Sequence, residues 1–116
     1  MYSLTSANRY YLYQGFVRMN LGSDGLFKII RLEMKDLSPV SGDIFLFFGK
    51  NRQSVKILRW DGDGFLLYYK RLEGGSFELP TFNPNTGNYE ISYQVLSFIL
   101  NGVSLKSVRL RKRFRI

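Results

Sequence analysis

The chain has no cysteine and no histidine among its 116 residues. Those absences remove disulfides, cysteine or histidine zinc sites, thiol nucleophiles and every histidine-based acid, base or triad. Catalysis would have to rest on Tyr, Ser, Lys, Arg or carboxylates, and carboxylates are scarce, with nine Asp and Glu against seventeen Lys and Arg. No stretch approaches the roughly 18 apolar residues that cross a bilayer. The opening MYSLTSANRYYLYQG lacks both a basic n-region and a continuous apolar h-region. A soluble, cytoplasmic protein without membrane association is expected. Neither G-x-G-x-x-G nor the Walker spacing occurs, and no cofactor is implied.

What the chain has in excess is positive charge. A formal charge of +8 and a pI near 9.9 suggest a polyanionic partner without saying which. The length fits one domain over residues 1–116, able to bury roughly two-thirds of its unfolded surface.

Along the chain, RYYLYQGFVRM is rich in β-formers and reads as one strand, or a short hairpin, bent near Gly15. SDGLFKIIRLEMKDL follows with Ser23 or Asp24 as N-cap, and Leu26, Phe27, Ile29, Ile30 and Met34 fall on one helical face. SPVSG then breaks the helix. Three dense apolar runs, DIFLFFG, SVKILRW and GFLLYYKRL, predict a three-stranded antiparallel meander. GGSFELP is a candidate fourth strand, TFNPNTGNY a loop, and SYQVLSFILNG a second helix capped by Ser92 and ended by Gly102. The fold class expected is α+β: an antiparallel β-meander of three to five strands, packed on its apolar face with one or two helices. A basic tail, residues 104–116, ends the chain with Arg109, Arg111, Lys112, Arg113 and Arg115.

The pair Asp61 and Asp63 in DGDG invites a metal reading. An Asp-Gly step between strand-like runs is first a hairpin signal, because Gly and Asp tolerate the positive φ of tight turns. As a calcium loop it fails, since the fifth, sixth and twelfth positions hold Phe65, Leu66 and Leu72. Two-metal phosphoryl chemistry would need more carboxylates converging from separate elements. A turn is expected, with no metal site and no catalytic residue.

The cations carry more information. Strand alternation puts Lys56, Leu58 and Trp60 on one side and Val55, Ile57 and Arg59 on the other. Cations beside aromatic rings serve nucleic acid binding, the cations for phosphates and the rings for exposed bases, although solvated cations and core-packed aromatics are the plainer explanation for any single residue. The tail's five cations within seven residues repel one another and gain most from a polyanion.

The string SGDIFLFFGKNRQSVKILRWDGDGFLLYYKRLEGGSFELP resembles the core of the TnpB accessory proteins of insertion sequences of the sixty-six class. Its most specific pieces are SGD at 41–43, Lys56-Ile57-Leu58 before Trp60-Asp61, Asp63-Gly64-Phe65, and Tyr69 to Glu73 leading to Phe77 and Pro80. The likeness runs from about Tyr10 to Gly102 and leaves the basic end outside it. It implies a small non-enzymatic protein, encoded beside a transposase, that assists DNA transposition. The RNA-guided nuclease that shares the TnpB name is much larger, and its acidic site has no counterpart here. Residues 18–22 read RMNLG where the family commonly has Asp-Met-Arg-Lys-Gly, so no role of that Asp and Arg passes to Arg18 and Asn20.

Two modes of action follow. In the first, Lys50, Arg52, Lys56, Arg59, Lys70 and Arg71, with the tail cations, contact phosphates of DNA at the element's ends. In the second, the chain is an adaptor for the transposase with no direct DNA contact, using the aromatics Trp60, Tyr68 and Tyr69 as its partner-binding surface.

Overall fold

The three densest apolar runs form the body of the sheet. The computed structural model describes residues 4–34, 36–80 and 89–101, with Tyr89 described by its backbone alone. In chain order the elements are β1 (Tyr10–Phe16), α1 (Ser23–Glu33), β2 (Ile44–Phe48), β3 (Ser54–Trp60), β4 (Phe65–Arg71), β5 (Tyr89–Ile91) and α2 (Tyr93–Leu100). The strands make one sheet in the order β4-β3-β2-β1-β5. β2, β3 and β4 are the expected antiparallel meander, with Ile44 opposite Arg59 and Ser54 opposite Arg71.

The fold is α+β, with a sheet that is mixed rather than wholly antiparallel. α1 carries the chain back along the sheet, so β1 enters beside β2 in parallel, Tyr10 pairing Ile44 and Leu12 pairing Leu46. The register of that pairing shifts between Leu12 and Phe16, around Gly15. The Tyr13 ring lies across Gly15, where an added Cβ would come within 2.8 Å of it, so only glycine leaves the ring in place. The bend is a register shift within one strand, not a hairpin. β5 closes the other side of β1, antiparallel, with Tyr10 opposite Ile91.

The helices do not share one apolar face. α1 sets Leu26, Ile30 and Met34 against Tyr11, Val17, Phe45, Phe47 and Leu58. α2 sets Val95, Leu96 and Ile99 on the opposite side, against Tyr10, Leu12, Ile44, Leu46, Phe48, Val55 and Ile57. β2 is therefore buried along its whole length. That is why IFLFF shows no polar alternation. Each fully buried Leu, Ile, Phe or Met contributes about 1.5–3 kcal/mol, so the two-sided core anchors both ends of the sheet.

Local signals at the element ends hold in part. The Ser92 hydroxyl accepts the Val95 amide at 3.1 Å and caps α2 as expected. α1 starts one residue early: Gly22 is its N-cap and offers no side-chain bond, while Asp24 lies in the first turn, where a carboxylate suits the helix dipole. GGSFELP forms no strand; instead the Phe77 amide donates to the Arg52 carbonyl at 2.6 Å, and its buried ring meets Phe48 edge-on at 5.5 Å. DGDG is the β3–β4 turn. The Asp61 amide donates to the Gly64 carbonyl at 2.7 Å, and Gly62 takes φ +83°, a conformation that favours glycine. Residues 81–88 of the expected loop, Gly102 and the basic tail lie outside the described residues.

Candidate functional site

The register fixes which charged residues share an end of the sheet. At one end β1, β2 and β4 finish and β3 begins. Lys50 and Arg52 sit in the β2–β3 turn, Lys70 and Arg71 close β4, and Arg18 follows β1 by two residues. All five are exposed. The turn is firmly built. Arg52 holds a left-handed backbone (φ +59°) while its amide donates to the Gly49 carbonyl at 2.9 Å and its own carbonyl receives the Phe77 amide. The Asn51 side chain accepts the Gln53 amide and donates to the Gln53 side chain, each at 3.1 Å. Left-handed geometry in a non-glycine residue costs roughly 1–2 kcal/mol, which these bonds offset.

α2 finishes at this same end. The Lys70 ammonium donates to the Leu100 carbonyl at 2.8 Å, a cation at a helix C-terminus where the dipole favours it. The chain thus leaves α2 at Asn101 beside the exposed cations, and the tail residues Arg109, Arg111, Lys112, Arg113 and Arg115 follow beyond the described residues. Glu73, just past β4, is the nearest acid in sequence and lies exposed.

The remaining two sheet cations are placed differently. Lys56 is half-buried: its ammonium donates to the Leu21 carbonyl at 2.7 Å and lies 5.7 Å from the centre of the Tyr69 ring. It ties the segment entering α1 to β3 from a half-buried position, whereas Lys70 makes its carbonyl bond at the exposed surface. Arg59 is half-buried at the far end of β3, opposite Ile44 and Leu66. That end carries Asp43 before β2 and the exposed Asp61 and Asp63. Among the described residues no group of three or more His, Cys, Asp or Glu is arranged to hold a metal.

The three aromatics do not share a surface. Trp60 is half-buried, its ring edge-on to Phe65 at 5.0 Å on the α1 side. Tyr69 faces the same side four residues further along β4 and is 54% exposed. Tyr68 points the other way and packs on the α2 core. Strand alternation alone separates Tyr68 from Tyr69.

Two residues that the sequence does not single out, Phe16 and Arg18, join the cationic end. Phe16 is 47% exposed and lines a shallow groove with Val17, Arg18, Met19 and Lys50. The available signal was an aromatic after Gly15 with an arginine two residues on. Within the α1-side cluster that also holds Val17, the Tyr13 hydroxyl donates to the Glu33 carboxylate at 2.6 Å. Burial, then the hydrogen bond to Glu33 and its charge, push the Tyr13 pKa up to about 12.

A family model described as IS66 Orf2 like protein matches residues 8–110. The chain belongs to the IS66 Orf2-like family. Membership supports a transposition-associated accessory role. The matched span runs past Gly102 and takes in Arg109, so the family likeness reaches into the basic segment rather than stopping before it. Two curated relatives of this IS66 Orf2-like chain come from Sinorhizobium fredii (strain NBRC 101917 / NGR234). "Uncharacterized protein y4hO" is 35% identical over 71 residues, covering 61% of this chain and 60% of that protein. "Uncharacterized protein y4jC" is 32% identical over 71 residues, covering 61% and 59%. The matches thus span about three-fifths of the length of those relatives. No solved structure matches the chain. No helix among the described residues is long and apolar enough to cross a membrane.

Proposed function

We propose that this IS66 Orf2-like protein is a non-enzymatic accessory factor that works beside the element's transposase in the cytoplasm and binds DNA through the cationic end of its sheet. Lys50, Arg52, Lys70 and Arg71 contact phosphates there, and the tail cations Arg109, Arg111, Lys112, Arg113 and Arg115 extend the contact. The observation that carries this reading is the convergence of the exposed cations with the end of α2, marked by the bond from Lys70 to Leu100. Phosphate contacts position a protein without reading sequence, so recognition of the element's ends falls to the transposase. The same placement weighs against an adaptor built on the aromatics, because Trp60 and Tyr69 lie apart and Tyr68 lies on the other face. Lys56 and Arg59 take no part in the contact.

The test is a salt titration of binding to labelled duplex carrying the element's ends and to a scrambled duplex, for the full chain and for one truncated after Ser107. A steep salt dependence that flattens on truncation, with similar affinity for both duplexes, is the expected result. Each phosphate contact contributes a slope of about −0.9 in log affinity against log salt. Weak, salt-insensitive binding to both, alongside salt-tolerant binding to the transposase, would transfer the role to a protein adaptor.

A further inference from the structure

The groove between the end of β1 and the β2–β3 turn combines an apolar lining with two exposed cations. Its lining joins the apolar Phe16, Val17 and Met19 to the exposed cations Arg18 and Lys50. No carboxylate is among its described lining residues. A second apolar groove, on the outer side of α1 by Phe27 and Leu32, is lined by Asp24 as well as Lys28 and Arg31, so its charge selects no partner. Phe16 is 47% exposed although its register partner Phe48 is buried, which leaves about half of a large ring without a partner surface.

A duplex keeps the faces of its bases in its own stack and offers a half-exposed ring only groove edges, unless the stack is kinked open at a cost of a few kcal/mol. An unpaired strand offers both groups at once: a base face to stack on an aromatic side chain, and flanking phosphates for cations. We infer that this groove takes an unpaired DNA strand, with a base stacked on Phe16 and the adjoining phosphates held by Arg18 and Lys50. The inference rests on the DNA-binding reading above and adds to it the form of the strand.

The experiment compares a labelled oligothymidylate with a duplex of equal length by fluorescence anisotropy at low salt, using the full chain and its Phe16→Ala, Phe16→Trp and Arg18→Ala variants. Phe16→Ala is expected to weaken single-strand binding by about five- to a hundredfold and to leave duplex binding unchanged. Phe16→Trp is expected to keep the affinity and to show tryptophan quenching by the single strand beyond that of the parent, whose one tryptophan is Trp60. Arg18→Ala should weaken single-strand binding and flatten its salt dependence. Unchanged thermal unfolding of Phe16→Ala confirms that an exposed ring, not the core, was removed. Loss of both strand forms in Phe16→Ala, or no loss of either, overturns the inference. If the parent binds duplex with a steep salt dependence but ignores the single strand, this inference falls alone; if it binds neither, the DNA-binding reading falls with it.

Discussion

The two ends of the sheet are built from the same strands yet differ in the balance of charge they show a partner. One end shows Arg18, Lys50, Arg52, Lys70 and Arg71 to solvent, with the exposed Glu73 just past β4; the other shows Asp61, Asp63 and Arg9, with Asp43 and Arg59 half-buried near them. Both ends are anchored by one core, since β2 is buried throughout and carries Asp43 before it and Lys50 after it. An overall charge of +8 therefore understates the field at one end and misstates it at the other. A cation's position along its strand, more than its presence, decides what it can meet. Lys56 and Lys70 make the point. Both donate to backbone carbonyls, but Lys56 does so half-buried and Lys70 does so at the surface beside other cations.

The largest effect comes from cutting the link between the ends. Leu46 is fully buried in the middle of β2, so Leu46→Ala removes packing on the α2 side and leaves a cavity. A destabilisation of about 2–5 kcal/mol is expected in chemical denaturation. DNA binding should fall with the folded fraction and not independently of it. A variant that no longer bound DNA while staying folded would show that the ends are less rigidly joined than a shared core requires.

Next in size is the difference between the ends themselves. Charge reversal at Lys50, Arg52 and Arg71 together should flatten the salt dependence of DNA binding by roughly 0.9 for each phosphate no longer neutralised. Asp43→Asn, Asp61→Asn and Asp63→Asn together, at the opposite end, should leave the slope alone and, if anything, raise affinity by reducing long-range repulsion. Equal effects from the two triple variants would mean that net charge acts without regard to place, and the asymmetry would lose its functional meaning.

Much of this was legible in the residues, and the rest was not for identifiable reasons. The meander announced itself through three apolar runs separated by turn residues, and DGDG by its glycines. The Ser92 cap was readable because its bond to Val95 is local. β5 was hidden because three residues after a Pro, Asn and Gly stretch carry no periodicity, and their partner β1 lies at the other end of the chain. The placement of helices on both faces was latent in IFLFF, whose lack of polar alternation means burial on both sides. The parallel pairing of β1 and β2 was latent in the order strand, helix, strand. Of the candidate site, Lys50, Arg52, Lys70 and Arg71 do converge, but their convergence depends on strand register, which composition does not contain. Lys56 was unreadable because its partner, the Leu21 carbonyl, is 35 residues away. Phe16 was passed over because an aromatic in a strand is ordinarily core.

Substituting the two carbonyl-bound lysines sharpens the distinction between a structural cation and a contacting one. Lys56→Met keeps the apolar stem and removes the donor to Leu21, at a cost of about 1–2 kcal/mol in unfolding free energy, with no change in salt slope. Lys70→Met costs less, toward the lower end of about 0.3–1 kcal/mol, because its ammonium is exposed at the end of α2. It should nevertheless flatten the salt slope by about 0.9. The reverse pattern would exchange the two assignments.

An effect comparable in size to those of the lysine pair tests how the far end of α1 is held. Glu33 is a carboxylate in the last turn of α1, where the helix dipole disfavours it, and the Tyr13 hydroxyl gives it a short hydrogen bond. Tyr13→Phe should therefore cost about 0.5–1.5 kcal/mol at neutral pH. The pH dependence identifies the cause. The folded-state pKa of Tyr13 stands near 12 against an ordinary value of 10.0, so the folded protein holds this proton more tightly than the unfolded chain does. The stability linked to it is complete below pH 10 and is lost as pH rises through about 12. Tyr10, whose pKa burial also raises, titrates in parent and variant alike and cancels from the difference. The gap in unfolding free energy between parent and Tyr13→Phe should hence be full at pH 8 and narrow steadily between about 10 and 12. A gap that stayed constant across that range would mean the ring's packing, shared by Phe, had changed, and that the bond to Glu33 contributes nothing measurable.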